Sequence, residues 1–201
     1  MSATRDKQQA TETFDGWTTP SEFLDALLER YPAFAGVTLD AAADETNSKA
    51  PHYLAGPHIG PGCGCGLCAD WHDATWCNPP YGDQIPRWVA KAVQEWERGR
   101  TVYMLLPANV GPRWFDTVFE TASRIDFLRP RINFGDPRNP GSSASNIDSM
   151  LLVWRPGRRA PRLDLWHWKG ARLLAPPGWN GYSGAEWMVA AGLIPEAHVN
   201  R

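Results

Sequence analysis

Two groups of residues in this chain have types and spacings that could do chemistry, and the first is the tetrapeptide Asn78-Pro79-Pro80-Tyr81. Consecutive prolines have no backbone N–H and a fixed φ angle, so neighbouring carbonyl groups are rigid hydrogen-bond acceptors. The carboxamide of Asn78 adds another acceptor, and the ring of Tyr81 offers a flat stacking surface. Such a site could hold a planar amino group. An ordinary turn explains the same residues, because Asn-Pro and Pro-Pro are common turn sequences.

The second group contains Cys63, Cys65, Cys68 and His72, which lie within ten positions of a glycine-rich segment. Three thiolates and an imidazole are a ligand set that zinc accepts. A glycine-rich insertion that binds no metal is the alternative. Cys77 belongs to the apolar run before the tetrapeptide, and we expect it in the core. Because the four cysteines cluster within fifteen positions, metal or local structure explains them better than a disulfide framework does.

The segments around both groups alternate between helical and strand-like patterns of apolar residues. Helices are predicted over 20–31, 85–98 and 112–123, and strands over 37–44, 74–77, 101–106, 125–128 and 150–154. Thr19 is expected to be the N-cap of the first helix, and 51–70 and 129–149 are expected to be loops. This alternation indicates an α/β chain with a mainly parallel sheet. In such sheets ligands bind beyond the carboxyl ends of the strands, where the tetrapeptide lies.

Composition limits the class of protein. The chain has 201 residues, is 43% hydrophobic and carries a formal net charge of −2, so we expect a folded domain rather than a disordered chain. The near-neutral balance excludes a uniformly basic nucleic-acid coat, so contact with nucleic acid must use a local patch. A membrane-spanning helix needs about 18 apolar residues, and no apolar run approaches that length; the polar N-terminus also has no secretory signal. We therefore predict a soluble cytoplasmic protein without membrane contact.

The order of segments resembles that of the phage-type DNA N-6-adenine methyltransferases (Dam-like), from about Trp17 to Trp154. The segments that carry the resemblance are Trp17-Thr18-Thr19-Pro20, Leu39-Asp40-Ala41-Ala42-Ala43-Asp44, Trp76-Cys77-Asn78-Pro79-Pro80-Tyr81, Leu105-Leu106-Pro107-Ala108 and Trp114-Phe115. Asn-Pro-Pro-Tyr also occurs in methyltransferases that act on glutamine amides, so alone it indicates only methylation of an amine or amide nitrogen. The Thr-Thr-Pro and Asp-Ala-Ala-Ala-Asp segments point to the enzymes that act on DNA adenine.

The resemblance implies a Rossmann-like S-adenosylmethionine-dependent methyltransferase fold, with a mainly parallel sheet and helices on both faces. Residues 1–14 are expected to be a flexible N-terminus, and 15–155 the methyltransferase domain. A Cys-, His- and Gly-rich insertion interrupts that domain at about 51–72. Residues 156–201 are expected to be a basic, tryptophan-rich extension that packs on the domain.

The resemblance also implies that S-adenosylmethionine is the methyl donor. The residues expected to bind it are Trp17, Thr18, Thr19, Pro20, Asp40, Ala41, Ala42 and Asp44. Thr19 and Pro20 would line its methionine end, because a helix N-terminus with a hydroxyl suits a carboxylate, and Asp40 would face its ammonium group. The alanines allow close approach where many methyltransferases carry a glycine-rich turn. Helix capping or solvation could instead explain Asp40 and Asp44, and core packing could explain Trp17.

For the reaction, the resemblance assigns the catalytic site to Asn78, Pro79, Pro80 and Tyr81, and the substrate to adenine in DNA. The acceptors of this site would orient the amino nitrogen and make its delocalised lone pair available to the sulfonium methyl, without a conventional general base. An adenine in a duplex must first flip out of the stack, and Tyr81 would then stack on it.

Three basic residues, Arg129, Arg131 and Arg138, are the expected contacts to DNA phosphates, which are salt-sensitive and carry no sequence information. Other functions stay open at this point. They are methylation of a protein glutamine amide or of cytosine N4, and a non-catalytic, zinc-containing DNA-binding module. The expected location is the cytoplasm of a bacterial host, with a phage or prophage as the source. The sequence makes no prediction about oligomeric state.

Overall fold

The computed structural model describes residues 18–56, 60, 62–135, 147–157 and 161–169. The helices are α1 (Ser21–Arg30), α2 (Ile85–Glu97) and α3 (Trp114–Thr121), with a 3-10 helix at Pro32–Gly36. The strands are β1 (Leu39–Asp40), β2 (His52–Tyr53), β3 (Ala74–Cys77), β4 (Thr101–Pro107), β5 (Arg124–Arg129), β6 (Ser149–Trp154) and β7 (Arg162–His167). None of these described helices is both long and apolar enough to cross a membrane.

The described strands form one seven-stranded sheet in the order β2-β1-β3-β4-β6-β5-β7. Four neighbouring pairs are parallel, and β6 is antiparallel to both β4 and β5. Helix α2 connects β3 to β4 and α3 connects β4 to β5, which are the crossover connections that strands of one direction need. The predicted α/β fold with a mainly parallel sheet is confirmed.

The side chains of β4 show why helices cover both faces of the sheet. Val102, Met104 and Leu106 pack in the layer of α2 and α3, whereas Tyr103 and Leu105 pack in the layer of α1. Alternate residues of a strand point to opposite faces, so a strand that is apolar throughout must be covered twice. Helices on both faces, which the resemblance implied, are therefore confirmed.

A buried ion-pair group joins α1 to the sheet. Asp126 on β5 is fully buried and accepts hydrogen bonds from Arg30 on α1 and from Arg124 on its own strand. The hydroxyl of Tyr31 also donates to Asp126. Asp164 on β7 binds the same two arginines, at 2.5 and 2.8 Å. This group holds α1 against the sheet, and the segment just before α1 contributes to the site described below.

The structure corrects two expectations near the start of the described chain. Thr19 is not the N-cap of α1, because the helix begins at Ser21 with Pro20 as its N-cap and has no side-chain cap hydrogen bond. The predicted strand 37–44 has strand geometry only over Leu39–Asp40, since the chain turns at the next two residues. A shorter strand places the following alanines in a turn at the carboxyl edge of the sheet.

Two outer strands, β2 and β7, were not predicted. The segment expected to be the loop 51–70 contains β2, whose two residues are both exposed and show no apolar alternation. Within the expected C-terminal extension, β7 pairs parallel with β5 along its whole length. Trp166 of β7 and the nearby Trp168 lie against Phe23 of α1, with ring centroids 5.6 and 5.3 Å apart. The sheet thus continues beyond residue 155, and the division of the chain into N-terminus, domain and extension stays a prediction.

Candidate active site

The site lies where the chain reverses its path across the sheet. From β1 the chain moves outward to β2, and it then returns to the other side of β1 to form β3. A crevice forms at such a switch point, beyond the carboxyl ends of the two strands that diverge. Asp40 is the last residue of β1, and Asn78 directly follows β3. The fold therefore brings together Asp40, which was predicted to bind the cofactor, and Asn78, which was predicted to be catalytic.

Asn78 is held by one end of its carboxamide. Its Nδ2 donates a hydrogen bond to Thr19 Oγ1 at 3.2 Å. Its Oδ1 is buried and has no hydrogen-bond partner among the residues that the structure describes. Buried polar atoms are normally satisfied, so an acceptor that is both oriented and unpaired is available to a donor from outside the described residues. The amino group that the sequence analysis expects at this position is such a donor.

The other residues of the tetrapeptide form a rigid and partly apolar surface. Pro79 is buried and Pro80 lines a cavity described below. Tyr81 is half-buried, and its ring meets Phe134 edge-on at a centroid distance of 6.3 Å. Its hydroxyl is also buried without a hydrogen-bond partner among the described residues, and burial raises the pKa of Tyr81. Tyr81 is consequently a neutral phenol, and its stacking on a base stays a prediction.

Asp40 is a nearly inaccessible carboxylate, with only 3% of its surface exposed. Its Oδ1 accepts a hydrogen bond from the backbone N–H of Ala42 at 3.3 Å, and its Oδ2 accepts one from the backbone N–H of Lys49 at 3.0 Å. Burial raises the pKa of Asp40 to about 6, although these hydrogen bonds and the charge of Lys49 act in the opposite direction. A cation beside Asp40 would restore its ionised form.

A narrow cleft surrounds this carboxylate. The residues that line it are Thr18, Thr19, Asp40, Ala42, Asn47, Lys49, Trp76 and Asn78. Its volume is about 20 Å³, which admits a small charged group but not a ring. Sequence reasoning missed Asn47 and Lys49, because they lie in a polar stretch without a motif and only the turn after β1 brings them to the cleft.

A larger cavity of about 520 Å³ adjoins the cleft and shares Ala42 and Asn47 with it. The residues that line it are Ala42, Ala43, Asp44, Asn47, Leu54, Gly56, Cys65, Gly66, Leu67, Pro80, Gln84, Arg87 and Trp88. Its volume lies within the range of about 300–1,000 Å³ that small-molecule sites occupy. Asp44 is exposed at its edge, where hydrogen bonds from Thr46 lower the pKa of Asp44. Ala41, by contrast, is wholly buried in the core.

The cysteine loop forms one wall of the larger cavity. The sulfur atoms of Cys63, Cys65 and Cys68 lie within 4.8 Å of one another, and Cys65 lines the cavity. The structure does not bring His72 into this thiol group, since His72 Nδ1 lies 3.0 Å from Thr38 Oγ1 on the approach to β1. Three of the four residues predicted to bind metal are therefore together and the fourth is elsewhere.

Gly66 fixes how closely this loop approaches the sheet. A Cβ atom at this position would lie 1.9 Å from the carbonyl oxygen of Ala41 and 2.6 Å from the Trp88 ring. The carbonyl of Gly66 accepts a hydrogen bond from Trp71 Nε1 at 2.7 Å. Only glycine fits between these groups, so the loop packs directly on the turn that follows β1.

The structure describes two of the three arginines that are expected to contact DNA, and it does not describe Trp17, which is expected to bind the cofactor. Arg129 is exposed at the end of β5. Arg131 is also exposed and is paired with Asp148 through two hydrogen bonds of 2.7 and 3.2 Å. Arg138 and Trp17 lie outside the described residues. The contacts of these residues with DNA or cofactor stay predictions.

Comparisons with known proteins point to one family of DNA methyltransferases. The model of a family described as DNA N-6-adenine-methyltransferase (Dam) matches residues 6–169. The DNA N-6-adenine-methyltransferase of Haemophilus phage HP1 (strain HP1c1) is 29% identical over 121 residues, which are 59% of this chain and 66% of the phage protein. The DNA N-6-adenine-methyltransferase of Escherichia phage T1 is 32% identical over 116 residues, 57% of this chain and 44% of the phage protein.

The matched segment thus spans less than two thirds of either phage relative. Among solved structures, a predicted O-methyltransferase of Agrobacterium tumefaciens is similar at 16% sequence identity and a TM-score of 0.35. That similarity covers 71% of this chain and 63% of the solved chain.

Proposed function

This chain belongs to the DNA N-6-adenine-methyltransferase (Dam) family, and from that premise we propose that it transfers the methyl group of S-adenosylmethionine to the N6 amino group of adenine in DNA. The observation that carries the proposal is the buried, unpaired Oδ1 of Asn78 at the carboxyl end of β3, which has no partner among the described residues. It is oriented by Thr19 and followed by two prolines, so it presents an acceptor where an amino group must donate.

The residues at the crevice fit S-adenosylmethionine. A buried carboxylate, Asp40, lies in a narrow cleft, and the adjoining cavity has a volume within the range of small-molecule sites, with Trp88 in its wall. Asp40 would hold the ammonium group, and the turn at Ala42 would lie along the ligand between the two spaces. When bound, S-adenosylmethionine supplies an electrophilic methyl group on a sulfonium centre.

The contribution of this chain to the reaction is orientation and charge stabilisation. The lone pair of adenine N6 is delocalised into the ring, so the nitrogen is a poor nucleophile. Hydrogen bonds from the amino group to Asn78 Oδ1 and to a proline carbonyl would favour a tetrahedral nitrogen and stabilise the positive charge that develops on it. Asn78 and the proline carbonyls would hold the amino nitrogen in line with the methyl group that bound S-adenosylmethionine would supply, and the methylated amino group would lose its extra proton to solvent without a side-chain base.

The substrate would reach this site as an extruded base. An adenine inside a duplex cannot reach the crevice, and its extrusion costs a few kcal/mol, which stacking on Tyr81 would partly offset. Arg129 is exposed and could bind a phosphate, whereas Arg131 would have to exchange its Asp148 partner. Because the chain matches phage enzymes, we infer that the reaction takes place in the cytoplasm of a bacterial host.

The test uses DNA of mixed sequence, S-adenosylmethionine with a labelled methyl group, and mass analysis of the digested nucleosides. We expect labelled N6-methyladenine, and Asn78→Ala should lower kcat by about 10²–10³, as when one preorganised hydrogen bond is removed. Gln94→Ala, which removes an exposed carboxamide on α2, is the matched control and should leave the rate unchanged. Label in N4-methylcytosine or in a peptide glutamine, or cofactor binding with no N6-methyladenine, would contradict the proposal.

We also propose that Cys63, Cys65 and Cys68 bind a structural zinc ion. Two of the sulfur pairs are 3.0 and 3.3 Å apart. Tetrahedral zinc with bonds of about 2.3 Å places thiolates about 3.8 Å apart, so a small spreading of the loop would accommodate the ion. The described residues supply three ligands, and a fourth would complete the tetrahedron.

Metal analysis of the purified full-length chain tests this site. We expect stoichiometric zinc in the wild type and in Cys77→Ala, which removes a thiol on β3 outside the group, and a marked loss in Cys63→Ser. Cobalt in place of zinc should give the intense thiolate-to-cobalt absorption only where the three cysteines are intact. Wild-type protein that takes up neither metal would exclude the site.

A further inference from the structure

Lys49 connects the two sides of the crevice, although nothing in its sequence context singles it out. Its backbone N–H donates to Asp40 Oδ2 at 3.0 Å, on the side of β1. Its ammonium group donates to Thr18 Oγ1 at 2.7 Å, on the segment that precedes α1. Lys49 also lines the cleft that contains Asp40 and Asn78. Hydrogen bonds therefore fix both the backbone and the ammonium end of Lys49.

The charges of Asp40 and Lys49 share this cleft without neutralising each other directly. The ammonium group of Lys49 hydrogen-bonds to the Thr18 hydroxyl rather than to the Asp40 carboxylate. Burial opposes both charges, because it raises the pKa of Asp40 to about 6 and lowers the pKa of Lys49. A ligand that carried a positive charge to Asp40 and a negative charge to Lys49 would relieve both penalties.

An α-amino acid group carries this pair of charges on one carbon atom. We infer that Lys49 binds the carboxylate of the methionine moiety of S-adenosylmethionine, opposite the ammonium group at Asp40. This inference rests on the proposed function and adds a subsite to it: the cleft is a receptor for a zwitterion, with Asp40 and Lys49 as its two poles. The hydroxyl of Thr18 positions the ammonium group of Lys49.

Decarboxylated S-adenosylmethionine isolates the contribution of the carboxylate to binding, because it lacks that group but keeps the adenosine, the sulfonium and the amine. The experiment is calorimetric titration of the full chain with each ligand, for wild type, Lys49→Met and Lys49→Arg. Lys169→Met is the matched control, since Lys169 is paired with Glu22 at 3.2 Å and does not line the cleft. Thermal unfolding without ligand checks that each variant folds.

The wild type should bind S-adenosylmethionine at least about tenfold more tightly than the decarboxylated ligand, the range for a hydrogen bond between charged groups. Lys49→Met should lose this preference, with unchanged or tighter binding of the decarboxylated ligand. Lys49→Arg should keep most of the preference, and Lys169→Met all of it. If Lys49→Met does not fold, Lys49→Gln replaces it in the same comparison.

This experiment distinguishes a wrong role for Lys49 from a wrong methyl donor. If the wild type and Lys49→Met discriminate equally between the two ligands, the carboxylate binds elsewhere and the inference is wrong, while the proposed methyl donor stands. If the wild type binds neither ligand, the proposed function is wrong and the zwitterion subsite is rejected with it. A loss of preference that Lys169→Met shares would also overturn the role of Lys49.

Discussion

Replacing Asp40 by asparagine should remove a destabilising effect that grows as the pH rises. Asp40 is 3% exposed, and among the described residues its carboxylate has two backbone hydrogen bonds but no side-chain ion pair to compensate its burial. The folded protein therefore favours the neutral acid. In the unfolded chain the same carboxyl group is solvated and has its ordinary pKa.

The magnitude follows from the two pKa values. Asp40 has a pKa of about 6 in the fold, against 3.8 in the unfolded chain. At about 1.4 kcal/mol for each pKa unit, this difference corresponds to about 3 kcal/mol. Because the folded pKa is the higher one, the native state binds the proton more tightly, and its stabilising effect is present below 3.8 and is lost as the pH rises through about 6.

Asparagine does not titrate, so the variant lacks this dependence. Integrated between about pH 4 and about pH 7.5, the unfolding free energy of Asp40→Asn should rise by about 2.5 kcal/mol relative to wild type. The NH₂ group that the substitution introduces must face a backbone N–H in place of one carboxylate oxygen. That mismatch costs about 1–3 kcal/mol at every pH and does not change the slope.

The assay is urea unfolding of the ligand-free wild type and of Asp40→Asn across this pH range, followed by tryptophan fluorescence. Asp25→Asn, which changes an exposed aspartate on α1, is the control and should show a difference that does not vary with pH. If the difference in unfolding free energy between Asp40→Asn and wild type is constant with pH, or is most favourable to the variant at low pH, then burial without an ion partner does not control the pKa of Asp40.

Three further outcomes are expected. S-adenosylmethionine affinity of the wild type should fall about tenfold from about pH 7 to about pH 5 in calorimetric titrations, because a protonated Asp40 cannot attract an ammonium group; an unchanged affinity would contradict this. Gly66→Ala should lower the free energy of unfolding by about 1–3 kcal/mol in urea and weaken cofactor binding, because its Cβ would meet backbone. Gly36→Ala, where a Cβ has open space, is the control and should be neutral. Equal effects of the two substitutions would contradict the close approach of the loop. Asp126→Ala should cost about 3–5 kcal/mol, since its arginine partners lose their buried counter-charge; a cost below about 1 kcal/mol would show that the ion-pair group does not stabilise the fold.

Local patterns in the sequence were sufficient for most of the fold. The helix at 85–97 follows from apolar periodicity, and the strands at 74–77, 101–107 and 149–154 follow from short apolar runs; both signals depend on neighbours within a few positions. The outer strands β2 and β7 could not be found in this way. Most of their residues are exposed, and pairing with a distant strand rather than burial makes them strands.

The candidate site was also predictable from the sequence only in part. Asn78 and the two prolines could be recognised because their chemistry lies in consecutive residues, and the order of motifs along the chain indicated the family. The hydrogen bond that orients Asn78 could not be recognised, since Thr19 lies 59 positions earlier and was expected to cap a helix instead. His72 was expected beside the cysteines from sequence proximity, but Thr38 holds it elsewhere.

By itself, then, the sequence determined the five inner strands of the sheet, the acceptor tetrapeptide and the family, because each is encoded in short segments. Only the tertiary structure decided that Asn78 Oδ1 is left unpaired among the described residues, that the cysteine loop forms a cavity wall, and that Lys49 faces the same cleft as Asp40. Burial and charge proximity depend on contacts such as that between Lys49 and Thr18, which are 31 positions apart and meet only when the chain folds.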